Sequence, residues 1–361
     1  MKRTKLPDLV IGDLIINPPI IQGGMGVRIS KSSLASAVSN TGALGVIASV
    51  GLGDEKESEK DYLRSSAEAL RTEIIKTRTR TQRPFGVNIM VTLSNYDTLV
   101  KIAVEEKVDA IISGAGLPLK LPLYTKGSST KLIPIVSSGR AANIVCEVWK
   151  KKYNLLPDAI VVEGPLAGGH LGFNKEELNN INNFSLEKIL IDVLEVIKQF
   201  ERTYKAQIPV VAAGGIFDGA DIARMLKLGA SGVQMATRFV CTYECDAALK
   251  FKEVFLNSKK EDIIIIDSPV GLPGRVIKNK FVERILKGEK IKFRCPYRCL
   301  KSCDVASVNY CIADALVNAS KGNFEDGFAM CGANAYRINK IVPVKELVNE
   351  LIKEAEREFY K

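Results

Sequence analysis

Short apolar runs recur along this chain with helix-length intervals between them, and that alternation constrains the fold more than any other feature. It is the pattern of a parallel sheet covered by helices. Eight runs have this character: Pro19 to Gln22, Leu44 to Ser49, Phe85 to Ile89, Ala110 to Ser113, Leu132 to Ser137, Ala159 to Glu163, Pro209 to Ala213 and Gly232 to Met235. Eight strands with intervening helices specify an α/β fold, a (β/α)8 TIM barrel. A doubly wound open sheet is the structural alternative. It calls for G-x-G-x-x-G after the first strand, and the "QGGMG" found there is spaced differently.

The clearest helix is predicted over Leu186 to Tyr204, where Leu186, Ile189, Leu190, Val193, Leu194 and Ile197 recur on one face behind a Ser185 cap. Between Gly114 and Lys131, two prolines and little periodicity predict a loop or a short broken helix. The barrel is expected to occupy residues 1–260. Residues 261–361 are expected to form a C-terminal extension packed on it: the turn-rich "DSPVGLPGRVIKN", a Cys-bearing segment from Cys295 to Cys331, and an amphipathic helix near Pro343 to Phe359.

Composition narrows the function. The 51 Lys and Arg against 41 Asp and Glu give a formal charge of +10, which raises nucleic acid and membrane surfaces as partners. The charges are scattered, however. The densest stretch, Asp54 to Arg83, mixes both signs and carries a single aromatic residue, Tyr62, rather than a series interleaved with the basic ones to stack on bases, so it reads as a solvated helix rather than a nucleic-acid groove. Lys2, Arg3 and Lys5 precede an apolar run like the start of a signal peptide, but Pro7, Asp8 and Asp13 interrupt it. No stretch approaches the roughly 18 apolar residues of a membrane span. The expectation is a cytoplasmic protein whose eight cysteines are mostly thiols.

Barrel enzymes carry their sites at the C-terminal ends of the strands. Glycine is concentrated there, in "IIQGGMG", "ISGAG", "EGPLAGGHLGF" and "VAAGGI". Gly214 and Gly215 precede a helix in the loop that customarily holds phosphate, where an anion would meet amides and a positive helix end. The sole histidine, His170, is flanked by Gly168, Gly169 and Gly172. The flanks predict a flexible rim loop on which an imidazole with a pKa of ~6.5 exchanges a proton near neutrality. Cys295, Cys299 and Cys303 have the spacing of one helical face. Together with Cys311 and Cys331 they match no zinc-ribbon or ferredoxin pattern, so they read as buried apolar thiols, with no metal site assigned. Cys241 and Cys245 follow the eighth strand, near the expected site.

"PPIIQGGMGVRIS", "FGVNIM", "ISGAGLP", "VEGPLAGGHLGF" and "IPVVAAGGIFDGADIARMLKLGASGVQMATRF", in that order from about Pro18 to Arg238, resemble the nitronate monooxygenase family, formerly the 2-nitropropane dioxygenases, which includes enoyl-acyl-carrier-protein reductase II. The resemblance implies an FMN-binding barrel. It implies that Gly23, Gly24 and Met25 line the flavin, that Asn88 bonds its ring, and that Glu163 and Gly168 contact it, although related proteins often carry Gln at the position of Glu163. It further implies that Gly214, Gly215, Gln234, Met235, Ala236 and Thr237 hold the phosphate and that His170 is catalytic. Two activities follow from the likeness. One is oxidation of an alkyl nitronate with O2 to a carbonyl compound and nitrite; the other is NAD(P)H-dependent reduction of an enoyl thioester. The long segment from Gly53 to Arg83 and the extended C-terminus favour the first. The physiological substrate, the use of NAD(P)H and whether the protein is a homo-oligomer are not legible.

Overall fold

The computed structural model describes residues 4–361 apart from 55, 57 and 302; Lys2, Arg3 and Glu57 of the charged stretches lie outside the described residues. All eight expected strands form: Ile20–Gln22, Gly45–Ala48, Phe85–Met90, Ala110–Gly114, Lys131–Val136, Ile160–Glu163, Val210–Ala213 and Gly232–Met235. Each pairs in parallel with its neighbours in the sequence, and the last returns to the first with Val233 opposite Ile20. A parallel bridge between Ile21 and Leu44 closes the ring, with Leu44 N donating to Ile20 O at 2.9 Å. Burial on both faces explains the unbroken apolar runs, because one face meets the interior of the barrel and the other the helices. The architecture is a (β/α)8 barrel.

Leu186–Tyr204 is helical over the whole expected range, and the Ser185 side chain accepts from Lys188 N. Its buried stripe is Leu186, Ile189, Leu190, Val193, Ile197 and Phe200. Ser185→Ala is expected to cost about 1 kcal/mol, read as a lower denaturant midpoint at unchanged slope. The charged stretch forms the helix Glu59–Arg80, which keeps a narrow buried stripe of Tyr62, Ala67, Leu70 and Ile74. Between the fourth and fifth strands only Leu121–Tyr124 is helical, with a proline in its first turn.

Two additions decide which end of the barrel can hold a site. An antiparallel hairpin, Leu9–Ile11 with Leu14–Ile16, places Leu9, Ile11 and Ile16 among the inward-facing Ile21, Val46, Ile133 and Val211. It covers the N-terminal ends of the strands: a Cβ on Gly232, the first residue of the eighth strand, would lie 2.9 Å from Leu9. The other addition follows the eighth strand. Within it, Ile263–Asp267 and Pro273–Ile277 form a hairpin around the turn-rich sequence, and Pro273–Ile277 also pairs with Gly169–His170. The final helix, Val344–Phe359, packs against the helices Gly219–Lys227 and Ser32–Asn40. It thereby fills the place of the eighth barrel helix, between the helices that follow the seventh and first strands. Residues 261–361 are thus not merely laid on a finished barrel, because their last helix completes its wall. The stretch 289–299 is not helical, so Cys295, Cys299 and Cys303 do not share a helix face; Pro296 lies within it. Among the described residues no helix is long and apolar enough to cross a membrane.

Candidate active site

With the lower end plugged, the upper end opens into a cavity of about 1170 Å³. All thirteen site residues expected from the sequence line it: Gly23, Gly24, Met25, Asn88, Glu163, Gly168, His170, Gly214, Gly215, Gln234, Met235, Ala236 and Thr237. Five strand ends supply them, which is how a barrel brings residues distant in sequence to one rim.

The glycines of the seventh loop are needed for their backbone. Gly214 and Gly215 have φ of +94° and +85°, in the left-handed region that side chains disfavour. The expected helix end is not available to an anion, however. The helix starts at Gly219 and its amides already serve carboxylates: Asp218 accepts from Asp221 N at 3.0 Å and Glu354 from Gly219 N at 2.9 Å. Any anion here is met by the glycine loop itself, without the helix terminus.

His170 also differs from expectation. It sits in the short strand Gly169–His170, opposite Gly274, rather than on a free loop, and its Nε2 is 2.7 Å from Ser268 Oγ. Its remaining exposure faces the cavity it lines. Desolvation pulls its pKa down to about 4, so the ring is neutral at physiological pH and is a weaker base than a solvated imidazole.

Glu163 is shifted the opposite way, up to about 7, by desolvation that the nearby Arg275 only partly offsets. Arg275 is itself buried, donating to Pro165 O at 2.8 Å and to Ala167 O, and so braces the loop after the sixth strand. The two shifts have opposite consequences for folding. Glu163 binds its proton more tightly when folded, so its contribution is full below pH ~4.5 and is lost as pH rises through about 7. His170 binds its proton less tightly when folded, so stability is lost as pH falls from ~6.5 towards about 4. Glu163→Gln, which imitates the neutral carboxyl, is expected to be more stable than the parent at about pH 9 and not at about pH 5, measured by denaturant unfolding.

Several wall residues had not been assigned. Met330, Cys331, Gly332 and Asn334, from the segment before the last helix, line the cavity, while Ser268 and Arg275 from the hairpin stand behind the wall and hold His170 and the loop after the sixth strand. Gly332 N donates to Thr237 Oγ1 at 3.0 Å and Asn334 Nδ2 to Gly215 O at 2.7 Å, clasping the seventh and eighth loops. A Cβ on Gly168 would lie 2.7 Å from Gly332 N. The run of small residues in "CGANA" is the only sequence signal of this approach. Cys241 and Cys245 do not reach the cavity; they are core thiols pushed up by burial to about 12 and about 11. Gln234 Oε1 is buried and has no partner among the described residues.

A model of the nitronate monooxygenase family matches residues 8–97 and 92–354. The chain belongs to this family. Nitronate monooxygenase family members are flavin-dependent oxidoreductases. Among relatives, a probable nitronate monooxygenase of Staphylococcus aureus is 29% identical over 316 residues, covering 76% of this chain and 79% of its own. A (3aS,4S,5R,7aS)-5-hydroxy-7a-methyl-1-oxo-octahydro-1H-indene-4-carboxyl-CoA dehydrogenase of Mycobacterium tuberculosis is 29% identical over 290 residues, covering 80% and 70%. The structure of FabK from Thermotoga maritima superposes with a TM-score of 0.72 at 31% identity, over 94% of this chain and 93% of that one. A nitroalkane oxidase of Streptomyces ansochromogenes shares the fold, with a TM-score of 0.72 at 22% identity over 94% and 96%.

Proposed function

We propose that the cavity binds FMN and that the protein oxidises alkyl nitronates with O2 to carbonyl compounds and nitrite. The observation that carries this reading is the neutral His170, held by Ser268 in the wall of a glycine-lined cavity. A nitronate arrives with its α-proton already removed, so it needs a hydrogen-bonding partner more than a strong base. A desolvated imidazole whose second nitrogen is engaged by Ser268 suits that task.

The residues fit the cofactor. Gln234 Oε1 is a buried acceptor that calls for a donor on the ligand, such as an N–H of a flavin ring. The Gly214–Gly215 backbone permits the close approach that a phosphate requires. The volume of about 1170 Å³ is at the upper end for a single drug-sized ligand and leaves room for a substrate beside a cofactor. Gly23, Gly24, Met25, Asn88, Glu163 and Gly168 would then face the ring, joined by Gln234, whose buried acceptor oxygen suits a ring N–H rather than the phosphate oxygens expected for it from the resemblance, and Gly214, Gly215, Met235, Ala236 and Thr237 would face the phosphate. Bound FMN supplies the electron acceptor, while the protein positions the substrate against it. His170 orients the nitro group of a nitronate and takes the α-proton of a neutral nitroalkane, and the clasp of Gly332 and Asn334 holds the phosphate loops in place.

One observation favours a second reading, NAD(P)H-dependent reduction of an enoyl thioester. Chain length does not separate the two activities, because FabK is matched over 93% of its length and this chain over 94%. The purified protein is expected to be yellow and to release FMN rather than FAD on denaturation. Anaerobic reduction with NADH, NADPH and a nitronate in turn then decides. Bleaching by the nitronate supports the oxidase reading; bleaching by a nicotinamide alone, followed by reoxidation with an enoyl thioester, replaces it with the second.

A further inference from the structure

Four cysteines that the cavity chemistry does not use come together in the segment between the eighth strand and the last helix. Cys295, Cys299 and Cys303 lie on irregular backbone, and Cys311 immediately precedes the helix Ile312–Ser320. The Cys311 and Cys295 side chains are hydrogen-bonded to each other, and Cys311 also senses Cys299. Cys299 in turn senses Cys295 and Cys303, and Cys303 senses Cys295. Each thiol therefore has at least two of the others as neighbours. All four are half-buried, and Cys295, Cys299 and Cys311 pack on Val27, Tyr62, Tyr297, Ala313 and Val317. Cys299 is also part of the cavity wall.

The geometry discriminates between metals. Among the described residues no three His, Cys, Asp or Glu side chains converge on one point where a single ion would sit, so a tetrahedral zinc site is not what this arrangement provides. An iron–sulfur cluster takes one thiolate at each iron, so its ligands stand farther apart than those around one ion. Cys295 and Cys311 are hydrogen-bonded, whereas Cys299 and Cys303 interact with the other thiols electrostatically and without a hydrogen bond, a looser set than the ligands of one ion. The same stretch is cationic, with Lys290, Lys292, Arg294, Arg298 and Lys301, which complements the negative charge that four thiolates bring to a cluster. We propose that Cys295, Cys299, Cys303 and Cys311 ligate a [4Fe–4S] cluster in a loop that forms part of the cavity wall. The inference does not depend on which substrate the cavity takes.

The test is iron and acid-labile sulfide analysis of the full-length protein, purified anaerobically and reconstituted with ferrous iron and sulfide. Neither assay responds to flavin. About four irons and about four sulfides per chain are expected, with an electron paramagnetic resonance signal on one-electron reduction. Cys299→Ser and Cys311→Ala are each expected to lose at least half of the iron, while Cys146→Ser, in the helix Gly139–Tyr153, keeps it. Should the ligand variants not fold, the metal content of the parent alone decides. Less than one iron per chain after reconstitution, stoichiometric zinc in place of iron, or a Cys295–Cys311 disulfide in the anaerobic protein would overturn the proposal.

Discussion

His170→Ala is expected to lower kcat/KM roughly 10²- to 10⁴-fold while the fold and the flavin content stay close to those of the parent. The backbone of His170 pairs with Gly274, and alanine keeps that pairing. What is lost is the imidazole and its contact with Ser268 Oγ. The defect should depend on substrate, because a preformed nitronate needs no α-proton removed whereas a neutral nitroalkane does. The ratio of kcat/KM between parent and variant should therefore be larger for the nitroalkane. Equal ratios would mean that His170 only orients the substrate, and wild-type activity with both would show that the sole histidine is not catalytic. The low pKa adds a second readout. Protonation of His170 sets in only as pH falls towards about 4, so the acid limb of kcat/KM belongs there and not near ~6.5. A limb near 6.5 that vanishes in the alanine variant would contradict a desolvated imidazole.

Gly215→Val is expected to cost the protein its flavin and a measurable part of its stability together. The φ of +85° strains any β-branched residue, and the new Cβ would meet Leu166 Cβ at 2.8 Å. Strain and overpacking together amount to about 2–6 kcal/mol. Flavin loss in this variant therefore does not by itself locate the cofactor. Gln234→Leu separates the two effects. It removes a buried acceptor that has no partner among the described residues, so the apo fold should be as stable as the parent or slightly more so. Flavin affinity should nevertheless fall about tenfold or more, since a lost hydrogen bond of about 1.4 kcal/mol is a factor of ten. The measurements are flavin titration by fluorescence and thermal unfolding of the apoprotein. Unchanged affinity would remove Gln234 from the cofactor site.

The sequence by itself determined the barrel and its rim. Strands buried on both faces must be apolar without a break, so all eight were legible to within a residue or two. The helix Leu186–Tyr204 was legible because one buried stripe and one cap specify it locally. The residues that the family resemblance marks come together because barrel topology places the strand ends on one rim, and all thirteen line one cavity. Tertiary structure decided what depends on partners far along the chain. The glycines around His170 suggest mobility, yet a strand about a hundred residues away pins it, and the resulting desolvation, not its neighbours in sequence, fixes its charge. Gly214 and Gly215 resemble an approach to a helix terminus, yet Glu354 and Asp218 already occupy that terminus. The helical spacing of Cys295, Cys299 and Cys303 gave way to irregular backbone, and only packing brought Cys311 to them. Residues 261–361 looked like an appendage because a covering helix carries the same amphipathic pattern wherever it docks. Its place between the helices Gly219–Lys227 and Ser32–Asn40 follows from the gap left in the barrel wall, a property of the assembled ring that no local pattern encodes.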